Sequence, residues 1–202
     1  MAFTDAFTDT NGVDLEVHNT TWVKGTGSGV NEIQSNAMCG LDGDTTSNSF
    51  HYWNDTFAAS HYSQAVVAAG GLQAIGPCIR AQAAAQSFYY CYLYAPSAAV
   101  FPGECVGGTG TDWDSGQAEA LVGDTFGLFV DASTTTTIYY KKNAATIATY
   151  TSKSALSGGK AGVARYQGSN ATRIDDWEGG DVGGATGWGG LLGDQRNRLV
   201  IS

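Results

Sequence analysis

The run QSFYYCYLYA at residues 86–95 concentrates more potential chemistry than any other stretch of the chain. In an extended strand alternate side chains share a face, so Phe88, Tyr90, Tyr92 and Tyr94 line one side and Tyr89, Cys91 and Leu93 the other. A tyrosine stripe offers apolar rings with polar tips, a surface on which a sugar ring stacks while its hydroxyls find partners. Packing between two sheets is the other use of such a stripe. Trp113, flanked by Asp112 and Asp114, adds an exposed anchor, which completes a candidate glycan-binding set of Tyr90, Tyr92, Tyr94 and Trp113. Asp42 and Asp44, two apart in GLDGDT, present carboxylates that Ca2+ accepts; an ordinary aspartate-rich turn is the alternative, and the full EF-hand pattern is absent.

Constellations for catalysis are missing. There is no G-x-S-x-G and no H-E-x-x-H, and His18, His51 and His61 stand in unrelated contexts. Glu16, Glu32, Glu104, Glu119 and Glu178 are scattered singly, whereas hydrolysis of a glycosidic bond needs two carboxyl groups facing one cleft. The expectation is a protein that is not an enzyme. The loop KGTGSG at residues 24–29 lacks the trailing Gly-Lys-Ser/Thr of a phosphate loop. Four cysteines, Cys39, Cys78, Cys91 and Cys105, have no C-x-x-C spacing and no neighbouring histidine, so no zinc pattern forms. If Ile75–Gln82 and Gln86–Tyr94 form a hairpin turning at Ala84-Ala85, Cys78 opposes Cys91 within disulfide range; otherwise the thiols are small buried hydrophobes.

The elements that would position these residues are strands. Phe126, Leu128 and Val130 alternate with small neighbours, and Ile138 with Tyr140, Ile147 with Tyr150 and Val163 with Tyr166 continue the pattern. Asp131-Ala132-Ser133, Lys142-Asn143 and Ser157-Gly158-Gly159 supply the reversals, and RIDDWEGGD at residues 173–181 reads as a returning strand. Earlier strands are expected near Phe3–Phe7, Leu15–Val17, within Val30–Cys39, at Phe50–Trp53 and at Tyr62–Ala69. Residues 96–116 read as a long irregular stretch.

The second half resembles a concanavalin A-like (laminin G-like) jelly-roll. The matching pieces are Gly123-Asp124, Ser157-Gly158-Gly159-Lys160-Ala161-Gly162-Val163 and Asp175-Asp176-Trp177-Glu178, with Phe3-Thr4-Asp5-Ala6-Phe7 and Tyr62-Ser63-Gln64-Ala65-Val66-Val67 as first and middle strands. The resemblance implies an all-β antiparallel sandwich over residues 1–181, with a Gly-rich extension over 182–202. That fold hosts lectins, glycosidases, adhesion modules and virion proteins, so it leaves function open.

A net charge of −9, from 10 basic and 19 acidic residues, argues against a nucleic-acid partner and against attachment to anionic membranes. No apolar run approaches the roughly 20 residues of a membrane helix. The opening MAFTDAFTDTNG has neither a basic region nor an apolar core, so the expectation is a chain made in the host cytoplasm without a signal peptide and located in a virion. Trp188, Leu191, Leu192, Leu199 and Val200 in the extension are expected to dock on the domain, a neighbouring subunit or a shell protein. The leading expectation is a non-enzymatic virion protein, a homo-oligomeric bacteriophage capsid decoration (cement) protein or a head or tail appendage, partnered by a major capsid or other virion protein. The alternative is a carbohydrate-binding module or lectin for surface glycans, with Ca2+ at Asp42 and Asp44 as its candidate cofactor.

Overall fold

The structure is a computed structural model that describes residues 1–182, apart from residues 72, 95–96, 118, 133–135, 152 and 154–155. Among the described residues no helix is long and apolar enough to cross a membrane. In chain order the elements are β1 (Ala2–Asp5), α1 (Leu15–His18), β2 (Trp22–Lys24), β3 (Asn31–Ile33), β4 (Met38–Gly40), β5 (Ser49–Trp53), β6 (His61–Ala69), β7 (Ala74–Gln82) and β8 (Ser87–Tyr94). They continue with β9 (Ala99–Val106), β10 (Thr109–Asp112), β11 (Thr125–Asp131), β12 (Thr137–Lys142), β13 (Ala145–Thr151), β14 (Lys160–Arg165) and β15 (Arg173–Asp181).

Two antiparallel sheets face each other. The first runs β13-β12-β11-β6-β15-β4-β3, with β1 paired to the far half of β15, and the second runs β10-β9-β8-β7-β14-β5-β2. Alternation drives one side of each strand inward: Ser63, Ala65 and Val67 from β6, Leu128 and Val130 from β11, and Tyr89, Cys91 and Leu93 from β8 are all buried. At the centre Trp177 lies against Trp22 at 4.6 Å and Trp53 at 5.4 Å, and its indole N–H donates to Ser63 Oγ at 2.9 Å. The Asp-Asp-aromatic-Glu motif is therefore structural: Trp177 fills the core, while Glu178 points outward from the first sheet and accepts from Tyr62 and Gln64.

Three expectations need correction. Leu15–Val17 is a single helical turn, since a strand would bury Leu15 and Val17 together, and Val17 is 73% exposed. The "irregular" residues 96–116 hold a hairpin, β9–β10, closed by Gly107 and Gly108 at φ of 58° and 86°, the left-handed pair that a two-residue hairpin loop requires. The Cys78–Cys91 bridge does not form, and all four cysteines are free and buried. Beside the turn the pairing is as expected, Gln82 opposite Ser87, but a bulge in β7 shifts the register so that Ile79 opposes Tyr89 and Cys78 opposes Tyr90. One residue of slip reverses the faces, so Cys78 joins the outer aromatic cluster while Cys91 enters the core and meets the Pro77 carbonyl. The bulge is held in place: Arg80, at φ 52°, donates its backbone N–H to Nε2 of buried His61 at 3.1 Å.

β15 ends at Asp181. Trp188, Leu191, Leu192, Leu199 and Val200 of the extension lie outside the described residues.

Candidate functional site

The outer face of the second sheet carries a cleft of about 500 Å3, within the range of about 300–1,000 Å3 common for small-ligand sites. Its floor comes from β8, where alternation places Tyr90 and Tyr92 outward with ring centroids 3.9 Å apart and planes 14° apart. Both rings are nearly covered, at 2% and 5% exposure, whereas Tyr94 at 42% and Tyr166 at 45% stand at the mouth. Phe101 of β9 packs edge-on against Tyr94. A lip is formed by Ser47 and Asn48, whose backbone carbonyls both accept from Gln86 Nε2 at 2.9 Å, while Asn48 Nδ2 donates to the Gly108 carbonyl at 3.0 Å.

Polar chemistry enters from the edge strand. The Tyr90 hydroxyl donates to Asp112 Oδ1 at 2.8 Å, with Asp112 exposed on β10. To make that bond Tyr90 must cross β9, and it does so over Gly103: a Cβ there would lie 2.6 Å from the Tyr90 Cζ and hydroxyl oxygen. Glycine at 103 is thus what lets the ring reach the carboxylate. Burial, reinforced by the bond to Asp112 and its charge, pushes the Tyr90 phenol up. Burial does the same to Tyr92, whose hydroxyl donates to the Arg165 backbone carbonyl at 3.3 Å. Both phenols stay neutral at ordinary pH and serve as donors.

The tyrosine triad is thus brought together as the alternation implied, but Trp113 is not part of it. It directly follows Asp112, the last residue of β10, and its ring packs on the core against Tyr89 at 5.4 Å and Tyr150 at 4.8 Å, with Lys153 Nζ 4.8 Å from the ring centroid. The Ca2+ pair is not assembled either. Although burial opposes its ionisation, Asp44 is held down at about 2 by the Thr46 hydroxyl and N–H and by the Arg165 guanidinium, and it also accepts from the Val30 N–H at 3.0 Å. Its oxygens already serve as the anchor of a buried arginine, and Asp42 stays exposed. Among the described residues no group of three or more His, Cys, Asp and Glu is placed to hold a metal ion.

Sequence reasoning missed Asn48, Phe101, Gly103, Tyr166 and the role of Asp112. The Gly107-Gly108 pair was the available signal, because a two-glycine hairpin loop would have put Asp112 on a strand opposite Gly103. Asn48 and Tyr166 come from loops that only the folded chain brings to the cleft.

The described lining holds one carboxylate, Asp112, and no Lys, Arg or His. Glu178, one of the scattered acids, is engaged by Tyr62 and Gln64 on the outer face of the opposite sheet. A pair of carboxyl groups across one cleft, as glycoside hydrolysis requires, is not found among the described lining residues.

No protein-family model matches this chain, and no curated protein matches it. Solved structures match its fold. A Bacillus subtilis protein of unknown function with a galectin-like fold aligns at a TM-score of 0.57 and 11% identity, covering 85% of this chain and 97% of that one. A β-1,3-1,4-glucanase (lichenase) derived from a mouse hindgut metagenome aligns at 0.56 and 11%, covering 89% and 98%. The carbohydrate-binding module CBM66 from Bacillus subtilis aligns at 0.50 and 14%, covering 80% and 92%. The protein is an all-β sandwich of the galectin and concanavalin A-like class.

Proposed function

We propose that this protein binds carbohydrate, without cleaving it, in the cleft floored by Tyr90 and Tyr92. The observation that carries the reading is one concave site combining stacked aromatic rings, two exposed tyrosines at its mouth and an oriented carboxylate within reach of a ligand's hydroxyls. Sugar rings have apolar faces and polar edges, and this lining matches both. Fold neighbours with a sugar-directed name, the carbohydrate-binding module and the glucanase, support the reading without deciding it. The single carboxylate of the described lining favours binding over hydrolysis.

Titration of the full chain with neutral oligosaccharides, followed by calorimetry and by release of reducing ends, tests the proposal. Saturable binding that Tyr94→Ala abolishes, with no reducing ends released, is expected. Turnover of any bound oligosaccharide would move the protein to the hydrolases, and absence of binding to neutral and acidic oligosaccharides alike would end the carbohydrate reading.

Placement on a virion remains a proposal about location. It rests on the composition and on the Gly-rich 182–202 extension, and a gradient-banded particle fraction without the protein would remove it.

A further inference from the structure

We infer that the cleft selects uncharged sugars over acidic ones, with Asp112 accepting a pair of adjacent sugar hydroxyls. This inference rests on the carbohydrate-binding reading and specifies its ligand. Asp112 is the one ionised group of the described lining, it is exposed on the edge strand, and Tyr90 holds its Oδ1 at 2.8 Å. A carboxylate offers about four acceptor positions. One is used by Tyr90, which fixes the orientation of the group and leaves acceptors aimed outward. Hydroxyl-to-carboxylate bonds are charge-assisted, so a neutral diol gains most from this arrangement.

An acidic sugar meets the reverse situation. Uronate, sialate or sulfate groups need cations, and the described lining contains none. The cation behind the floor is already spent: Arg165 shares only its backbone carbonyl with Tyr92, while its guanidinium binds Asn31 at 2.8 Å, the Val30 carbonyl at 3.1 Å and Asp44. The chain as a whole carries −9, so its field repels an anionic ligand before it reaches the cleft.

Calorimetry of the full chain with cellohexaose, laminarihexaose and mannohexaose, set against hexagalacturonate and a hyaluronan hexasaccharide, tests the inference. At least one neutral probe is expected to bind, with the acidic probes weaker by about tenfold or more. Asp112→Asn, whose fold is checked by its melting curve, should weaken the neutral probe by about tenfold and narrow the gap to the acidic ones. Acidic probes bound as tightly as neutral ones would overturn the inference while leaving the carbohydrate reading intact. So would Asp112→Asn binding the neutral probe as well as the unaltered protein does. Failure of every probe to bind the unaltered protein would instead remove the carbohydrate reading, and the inference with it.

Discussion

Strand β8 presents tyrosine on both faces, and the two faces put the same side chain to different uses. Inward, Tyr89 is fully buried, accepts from the Leu156 N–H at 2.9 Å and donates to the Lys153 carbonyl at 3.1 Å, so its polar tip is consumed inside the protein. Outward, Tyr90 spends its hydroxyl on an exposed carboxylate, and Tyr94 keeps 42% of its surface open. A tyrosine's role here follows from where its hydroxyl finds a partner. Partners on the inner face tie strands to loops, and those on the outer face prepare a site.

Substitutions on the two faces should therefore separate stability from binding. Tyr89→Ala opens a cavity between the sheets and is expected to cost about 3–5 kcal/mol in urea-induced unfolding. A loss below 1 kcal/mol would mean that the inner face is not the closed core described.

The second test bears on the bulge in β7 that sets the register of Cys78 against β8. His61 donates from Nδ1 to the Ala58 carbonyl at 2.8 Å and accepts from the Arg80 N–H, so the neutral ring alone fits both partners. Burial, opposed by the Ala58 bond, lowers its pKa from 6.5 to about 4. A base depressed in the folded state favours folding above the unfolded pKa and loses that contribution as pH falls from 6.5 towards 4. The loss is of the order of 3 kcal/mol. NMR titration of the ring should show His61 neutral at pH 5; a midpoint near 6.5 would contradict the buried arrangement. His18 works in the opposite direction: burial opposes its charge, but Asp5 at 2.9 Å and Asp9 at 3.2 Å raise its pKa. Its contribution is complete below 6.5 and fades as pH rises through the raised value.

Gly103→Ala meets the Thr111 backbone carbonyl and the Tyr90 ring, each 2.6 Å from the added Cβ, and should cost about 1–3 kcal/mol, with sugar binding lost. Retention of binding would show that Tyr90 does not need to cross β9. Tyr90→Phe removes one hydrogen bond, about 0.5–1.5 kcal/mol, and should weaken sugar binding by freeing Asp112 to turn. Smallest in stability is Tyr94→Ala, within about 0.5 kcal/mol, yet it should remove binding. Equal effects of Tyr89→Ala and Tyr94→Ala on unfolding would erase the distinction between the faces.

Much of the architecture was legible before folding. Alternation in Phe126–Val130 and Tyr62–Ala69, the positive-φ residues Gly158, Gly159 and Asn143, and the motif around Trp177 all lie where their spacing implied. Leu15–Val17 misled because two apolar residues at spacing two also suit one helical turn when only the first is buried. The disulfide failed on a single inserted residue, since hairpin register read outward from a turn assumes a regular ladder.

Periodicity along one strand is local, so the run at 86–95 assigned Tyr90, Tyr92 and Tyr94 to one face with no other information. Which face would be covered is not local. It depended on the first sheet arriving against Tyr89, Cys91 and Leu93. Asp112 became part of a site because β10 lies one strand beyond β9 from β8, and the register of β9 against both neighbours sets which side chains meet across it.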